Sequence, residues 1–267
     1  MSEKFGIDVS HYQGKIDWKK VKESGKAFAI MKCMYEAQSH RIDETFEENY
    51  RQCGIYGLSR GVYIFIASSS IADPRRDAKS LLDHLKGRSL EHGIWLDYES
   101  DVLRRQGRDK ITDLTYIYAN LFRAAGYYTG IYCNKDWYDH TISDQLKDDF
   151  DFWIARYPKN DTGAYNPRSS LRPSYKTAVA WQYSSKGHVD GINGVVDLDV
   201  DFDGVVNLLA ESPYKKPYAE IALEVIAGKW GTKSTDPSRE KLLTMAGYNP
   251  KTVQLIVNQI LSKKGGK

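Results

Sequence analysis

The chain has 267 residues and a net charge of +3, with 38 Lys and Arg against 35 Asp and Glu. That length holds one large domain, or one domain with a small module, and the near balance without a Lys/Arg stripe argues against a nucleic-acid partner. No apolar run reaches the roughly 18 residues of a membrane helix, and the opening MSEKFGIDVS lacks the basic and apolar regions of a secretory signal. The expectation is therefore synthesis in the cytoplasm without membrane insertion.

Short apolar runs alternate with amphipathic stretches. Phe5–Val9 reads as a strand, Asp17–Ser24 as a helix and Ala27–Cys33 as a second strand. Asp43–Tyr56 carries Phe46, Tyr50 and Cys53 at helical spacing. Gly61–Ala67 is strand-like, and Asp73–Lys86 is a helix opened by Asp73 with Pro74 at its first position. Gly93–Tyr98 is a strand, Thr112–Ala125 a helix closed by Gly126, and Tyr128–Cys133 a strand. Beyond Cys133 the rhythm changes: one short helix within Asp136–Lys147, then strands at Phe152–Tyr157, Ala178–Tyr183 and Val195–Asp201 with no long helix between them. Strand–helix–strand alternation argues for parallel strands with right-handed crossovers. The expected fold is α/β: an irregular TIM-like (β/α) barrel of eight strands over residues 1–210, with few helices in its last third.

Glu211–Pro217 (ESPYKKP) is a polar, proline-punctuated linker. Residues 218–263 then read as a small three-helix module, with helices at Ala219–Ala227, Pro237–Ala246 and Pro250–Leu261.

The composition limits the chemistry. Cys33, Cys53 and Cys133 are odd in number and lack a C-x-x-C spacing, so reduced thiols are expected, not a disulfide framework. The six His form no H-E-x-x-H, and no Gly-rich phosphate loop opens a helix, so neither a metal nor a nucleotide cofactor is expected. The 19 Tyr and 6 Trp suit a sugar site, where apolar C–H faces and hydroxyls meet together.

The most informative run is Trp95-Leu96-Asp97-Tyr98-Glu99. Residues two apart on a strand share a face, so Asp97 and Glu99 project together while Tyr98 points to the opposite side and packs. Two carboxylates on one face repel, and one tends to keep its proton, as glycoside cleavage requires. Barrel chemistry sits at the C-terminal ends of the strands. There the sequence offers Asp8, Lys32, Tyr63, Phe65, Asp97, Glu99, Tyr132, Tyr157, Trp181, Tyr183, Asp197 and Asp199.

Several motifs follow in order: Gly6-Ile7-Asp8-Val9-Ser10, Gln13-Gly14, Ile16-Asp17-Trp18, Gly61-Val62-Tyr63, Leu96-Asp97-Tyr98-Glu99 and Gly130-Ile131-Tyr132. Trp153-Ile154-Ala155-Arg156-Tyr157, Trp181-Gln182-Tyr183-Ser184-Ser185 and Val196-Asp197-Leu198-Asp199 complete the set. Over roughly residues 4 to 207 the chain resembles glycoside hydrolase family 25, the barrel-fold lysozymes. The tail resembles the CW-seven cell-wall-binding repeat through Val225-Ile226-Ala227-Gly228-Lys229-Trp230-Gly231, Arg239, Leu243, Ala246-Gly247-Tyr248, Val253-Gln254 and Val257-Asn258. It carries one copy, where family members often carry several.

The resemblance implies an N-acetylmuramidase cutting the β-1,4 bond between N-acetylmuramic acid and N-acetylglucosamine in bacterial peptidoglycan. It implies Glu99 as general acid and Asp97 as the group that positions the substrate's 2-acetamido or raises the proton affinity of Glu99. Asp8 and Asp197 complete the acidic ring, with Asp197 favoured over Asp199 and Asp190. Tyr63, Phe65, Tyr132, Tyr157, Trp181 and Lys32 would line the groove, and Lys229, Trp230, Arg239 and Tyr248 would serve the wall-binding module. The family's K-x-T-E-G motif is here Lys32-Cys33-Met34-Tyr35-Glu36, which carries no role over to Glu36. Two mechanisms stay open: substrate assistance by the acetamido group, and inversion with Asp8 activating water. Two other functions also stay open: a wall-binding protein without catalysis, and a chitinase-like barrel glycosidase. Against the latter, Ile94 and Trp95 stand where a D-x-D-x-E strand would place its first Asp. Phage lysis from within the host, with action at the wall after release, is the expected setting, and self-association through the tail is an alternative to a monomer.

Overall fold

The computed structural model describes residues 3–67, 74–202 and 218–228, then 230, 232, 234, 238–240, 243 and 250–264. The chain divides into two compact units, Met1–Glu211 and Ser212–Lys267.

The first unit is a closed barrel whose eight strands follow one another in chain order. They are β1 (Lys4–Val9), β2 (Phe28–Met34), β3 (Ser59–Phe65), β4 (Ile94–Tyr98), β5 (Thr129–Asn134), β6 (Phe152–Ala155), β7 (Ala178–Gly187) and β8 (Val196–Asp201). Strands β1 to β7 run parallel. Strand β8 departs from the parallel run and is antiparallel to both β7 and β1. The reason is length: only residues 188–195 join β7 to β8, and a parallel return needs a crossover of about a dozen residues or more. The reversal puts the first residues of β8 at the same mouth as the last residues of the other strands.

Side-chain alternation builds two layers. Ile7, Val9, Ala29, Met31, Val62, Ile64, Ile94, Leu96, Ile131, Leu198 and Val200 point outward and are buried under the helices. The covering helices include α1 (Trp18–Glu23), α2 (Phe46–Ile55) and α3 (Pro74–Leu85). After α4 (Asp101–Arg104) the long α5 (Arg108–Ala124) buries Ile111, Leu114, Tyr118 and Phe122 on one face. Helix α2 starts later than Asp43 because that carboxylate is already engaged, accepting from the backbone and Nδ1 of His11 and from Thr45. The single helix expected within Asp136–Lys147 is two, α6 (Lys135–His140) and α7 (Asp144–Asp149), because Ser143 caps the second by accepting from Leu146 N.

Inside the barrel, Phe28, Ile30, Trp95, Trp153 and Ala180 fill the lower layers. Glycine makes room for the rings. A Cβ on Gly6 would stand 2.3 Å from the Phe28 ring, and one on Gly130 would stand 2.5 Å from Trp95. This packing closes the barrel floor and leaves the polar layer above it open at the mouth.

In the second unit, helices Tyr218–Ile226 and Pro250–Lys264 bury Ile221, Ala222, Val225, Val253 and Val257 together with Leu243. Of the expected middle helix, Arg239, Glu240 and Leu243 are helical and Ser238 is not; its other residues lie outside the described ones, as do the linker, Lys229 and Tyr248.

Candidate active site

The inward residues of the last turn of the barrel form one cleft. It is lined by Asp8 of β1, Tyr63 of β3, Asp97 of β4 and Glu99 just beyond that strand, and Tyr132 of β5. Trp153 of β6, Tyr157 just beyond it, Gln182 of β7 and Asp197 of β8 close the ring. Strand register brings Asp8 opposite Asp197, and Asp97 opposite both Phe65 and Tyr132. Because β8 is reversed, Asp197 sits at the rim. Asp199 lies a layer down, fully buried, with its Oδ1 accepting from Trp153 Nε1 at 2.9 Å.

Hydrogen bonds organise one side of the ring. Gln182 Nε2 donates to Asp8 Oδ2 at 2.6 Å. Tyr132 Oη donates to Gln182 Oε1 at 2.7 Å, and Tyr157 Oη donates to the same oxygen. The Tyr63 hydroxyl reaches Ser10. The other side is left open. Asp97 is 4% exposed, yet among the described residues no group hydrogen-bonds to its Oδ1.

The electrostatics follow from crowding acids in low dielectric. Burial, then Glu99, pushes the Asp97 carboxyl well above the usual range, with Lys32 opposing. Burial, then Asp197 and Asp199, does the same to Asp8, and the Gln182 bond works against it. Asp197 is pushed up to about 6 by burial, then Glu99 and Asp161. Glu99 is exposed at the rim by area, but the cleft walls still shield its carboxyl enough to raise its pKa, with Lys32 opposing. Such a ring binds its protons more tightly than separate carboxyls do and shares them between neighbours.

Not every expected groove residue reaches the cleft. Trp181 lies on the outward face of β7, is 2% exposed, and its Nε1 donates to Arg156 O at 2.9 Å. It packs under the barrel's outer layer because it neighbours the inward Gln182, and consecutive strand residues face opposite ways. Lys32 and Phe65 are inward but do not line the cleft: the Lys32 ammonium is 5.8 Å from the Tyr63 ring and 5.4 Å from the Phe65 ring, and its charge still acts on Asp97 and Glu99. Tyr98 is buried outward, its hydroxyl 2.8 Å from Thr115 Oγ1. Two lining residues were not among the expected ones, Gln182 and Trp153. Their signal was available: each occupies the inward phase of its strand. In the second unit Trp230 Nε1 donates to Glu224 at 2.9 Å, and Arg239 lines a separate groove with Gln254 and Asn258.

The model of glycosyl hydrolases family 25 matches residues 7–192. The chain belongs to that family. A CW_7 repeat matches residues 219–261. The autolytic lysozyme of Clostridium acetobutylicum is 29% identical over 201 residues, which are 75% of this chain and 56% of that protein. Lysozyme M1 of Streptomyces globisporus is 27% identical over 231 residues, 77% of this chain and 70% of the relative. The CTP1L endolysin shares the fold, with a TM-score of 0.63 at 24% identity over 85% of this chain and 79% of that one. The chain spans about half the length of the first of these relatives, and no described helix is long and apolar enough to cross a membrane.

Proposed function

We propose that this family 25 member is an N-acetylmuramidase that hydrolyses the β-1,4 bond between N-acetylmuramic acid and N-acetylglucosamine in peptidoglycan. The observation that carries the reading is the buried, unpartnered Asp97 Oδ1 beside Glu99 at a polar cleft. A buried acceptor without a donor favours a ligand that brings one, and the N–H of a 2-acetamido sugar is such a donor. Burial places the shared proton of the Asp97–Glu99 pair on the deeper Asp97. An N–H donated to Asp97 stabilises its ionised form and moves the proton toward Glu99. Glu99 then protonates the leaving glycosidic oxygen. The ionised Asp97 polarises the acetamido group, whose carbonyl oxygen attacks the anomeric carbon as the glycosidic bond breaks. Water opens the resulting ring, giving its proton back to Glu99. Ionised Asp8 and Asp197 stabilise the positive charge that develops at the anomeric carbon. Tyr63, Tyr132 and Tyr157 offer ring faces and hydroxyls to the sugars.

The CW_7 repeat would hold the enzyme on the wall. Trp230, Arg239 and, outside the described residues, Lys229 and Tyr248 are its proposed contacts. Tethering a weak binder to the barrel raises the local concentration of an insoluble substrate. The setting is the bacterial cell wall, reached after release from the cell that makes the enzyme.

The test is digestion of purified peptidoglycan by the parent and by Glu99→Gln, followed by reduction and mass spectrometry of the new ends. Reducing N-acetylmuramic acid ends from the parent are expected, with the variant slower by roughly 10²–10⁴-fold. New N-acetylglucosamine ends would make it a glucosaminidase. An inverted anomer in the first product would replace substrate assistance by direct attack of water activated at Asp8.

A further inference from the structure

The chemistry of the groups that meet at Gln182 dictates which way its amide faces. Tyr132 and Tyr157 both reach Oε1. Burial pushes the ionisation of both phenols far up, so each keeps its proton to donate. The opposite end of the amide then carries the N–H groups, and it lies 2.6 Å from Asp8 Oδ2. Turning the amide over would bring a carbonyl oxygen against the carboxylate, which is tolerable only if Asp8 carries a proton. The amide itself is 3% exposed, so water does not substitute for either partner.

We infer that Gln182 is a positioning residue: Tyr132 and Tyr157 orient its amide so that Nε2–H donates to Asp8 and holds that carboxyl as an acceptor at the cleft. The inference rests on the reading of the mouth as a glycoside-cleaving site in which Asp8 acts ionised. The surroundings make a dedicated donor necessary. Asp8 faces Asp197 and Asp199 of β8 and Asp97 of β4, together with the phenols of Tyr63, Tyr132 and Tyr157. Three acids and burial favour the neutral form of Asp8, and Gln182 works in the other direction. The same bond commits Asp8 Oδ2 to Nε2, and the Asp8 carboxyl also hydrogen-bonds that of Asp199, which favours the ionised form of Asp199.

The experiment compares the parent, Gln182→Leu and Gln182→Glu on peptidoglycan from acidic to neutral pH, reading kcat and KM separately. Gln182→Leu removes the donor, so Asp8 protonates at higher pH. Its kcat is expected to fall by roughly 10–10²-fold with KM little changed, and its deficit to deepen as pH falls. Gln182→Glu behaves oppositely. When protonated it again offers one donor and one acceptor oxygen, and when ionised it repels Asp8, so its deficit narrows as pH falls. Deficits that are equal at every pH, accompanied by lowered Tm, would reduce Gln182 to a structural residue and overturn the inference. A carboxyl carbon NMR titration of Asp8 in the parent and in Gln182→Leu decides the contact independently of turnover. An upward shift in the variant is expected, and an unshifted titration overturns the inference. A parent that makes no new sugar ends overturns the muramidase reading instead, and leaves this titration to judge the Gln182 contact.

Discussion

Two sets of carboxylates in this barrel are treated in opposite ways. Asp43, beneath the loop after β2, accepts from the backbone and ring of His11 and from the backbone and hydroxyl of Thr45. Burial pushes its pKa up, but these donors outweigh it and the carboxyl titrates below its usual range. Asp161, after β6, is likewise lowered against burial, by donors from Ser184, Gly163 and Ser185. At the mouth, Asp8, Asp97 and Asp197 are buried among one another with few donors, and all three are raised. The first set is ionised and fastens loops. The second gives up its protons only at higher pH than ordinary carboxyls. Buried Asp43 and buried Asp97 are thus separated by their donors, and the under-supplied acids mark the site.

The contrast can be tested most strongly at Asp97. Asp97→Asn is expected to lower the rate of peptidoglycan cleavage by about 10²-fold or more and, unlike an ordinary core change, to raise Tm at neutral pH. The sign follows from linkage. A carboxyl whose folded pKa lies above its unfolded one binds more protons when folded, so its contribution to stability falls as pH rises through that window. The gain in Tm should therefore shrink as pH drops toward the unfolded carboxyl range. A loss of Tm in Asp97→Asn at neutral pH would move Asp97 into the fastening set.

Asp43→Ala should do the reverse. Leaving the His11 and Thr45 donors without their partner is expected to cost about 2–3 kcal/mol, read by urea unfolding at neutral pH. The folded pKa of Asp43 is depressed, so its contribution is present above the unfolded pKa and disappears as pH falls through the folded one. Parent and variant should therefore converge in acid. Equal differences at both pH values would remove the charge from the argument and leave only packing.

The smallest effect is expected at Trp181, which sequence placement assigns to the groove and the structure turns outward. Trp181→Phe deletes the bond to Arg156 O and should cost about 1 kcal/mol while leaving KM for glycan unchanged. A raised KM would bring the outer face of β7 into the binding site.

Much of this was legible in the chain. The strands, the long helices and the D-x-E pair follow from period-2 and period-3.6 patterning, because burial of one face is a local rule that each element obeys by itself. The direction of β8 was also legible in principle, in the shortness of residues 188–195. The Asp43 cluster was not legible: it joins residues 32 positions apart, and no local pattern foretells that a helix-capping acid will be claimed by a distant histidine.

What the sequence determined by itself was the inventory: eight strand segments, acids at their ends, a family signature across residues 7–192 and a separate repeat in the tail. What only the tertiary structure decided was which groups face one another. Closing the barrel with a reversed last strand brought Asp197 to the rim and buried Asp199 below it. The same closure set Gln182 against Asp8, residues 174 positions apart in the chain. Patterning is a property of neighbours along a strand. Proton affinity and hydrogen-bond direction depend on neighbours across the barrel, and those exist only after closure.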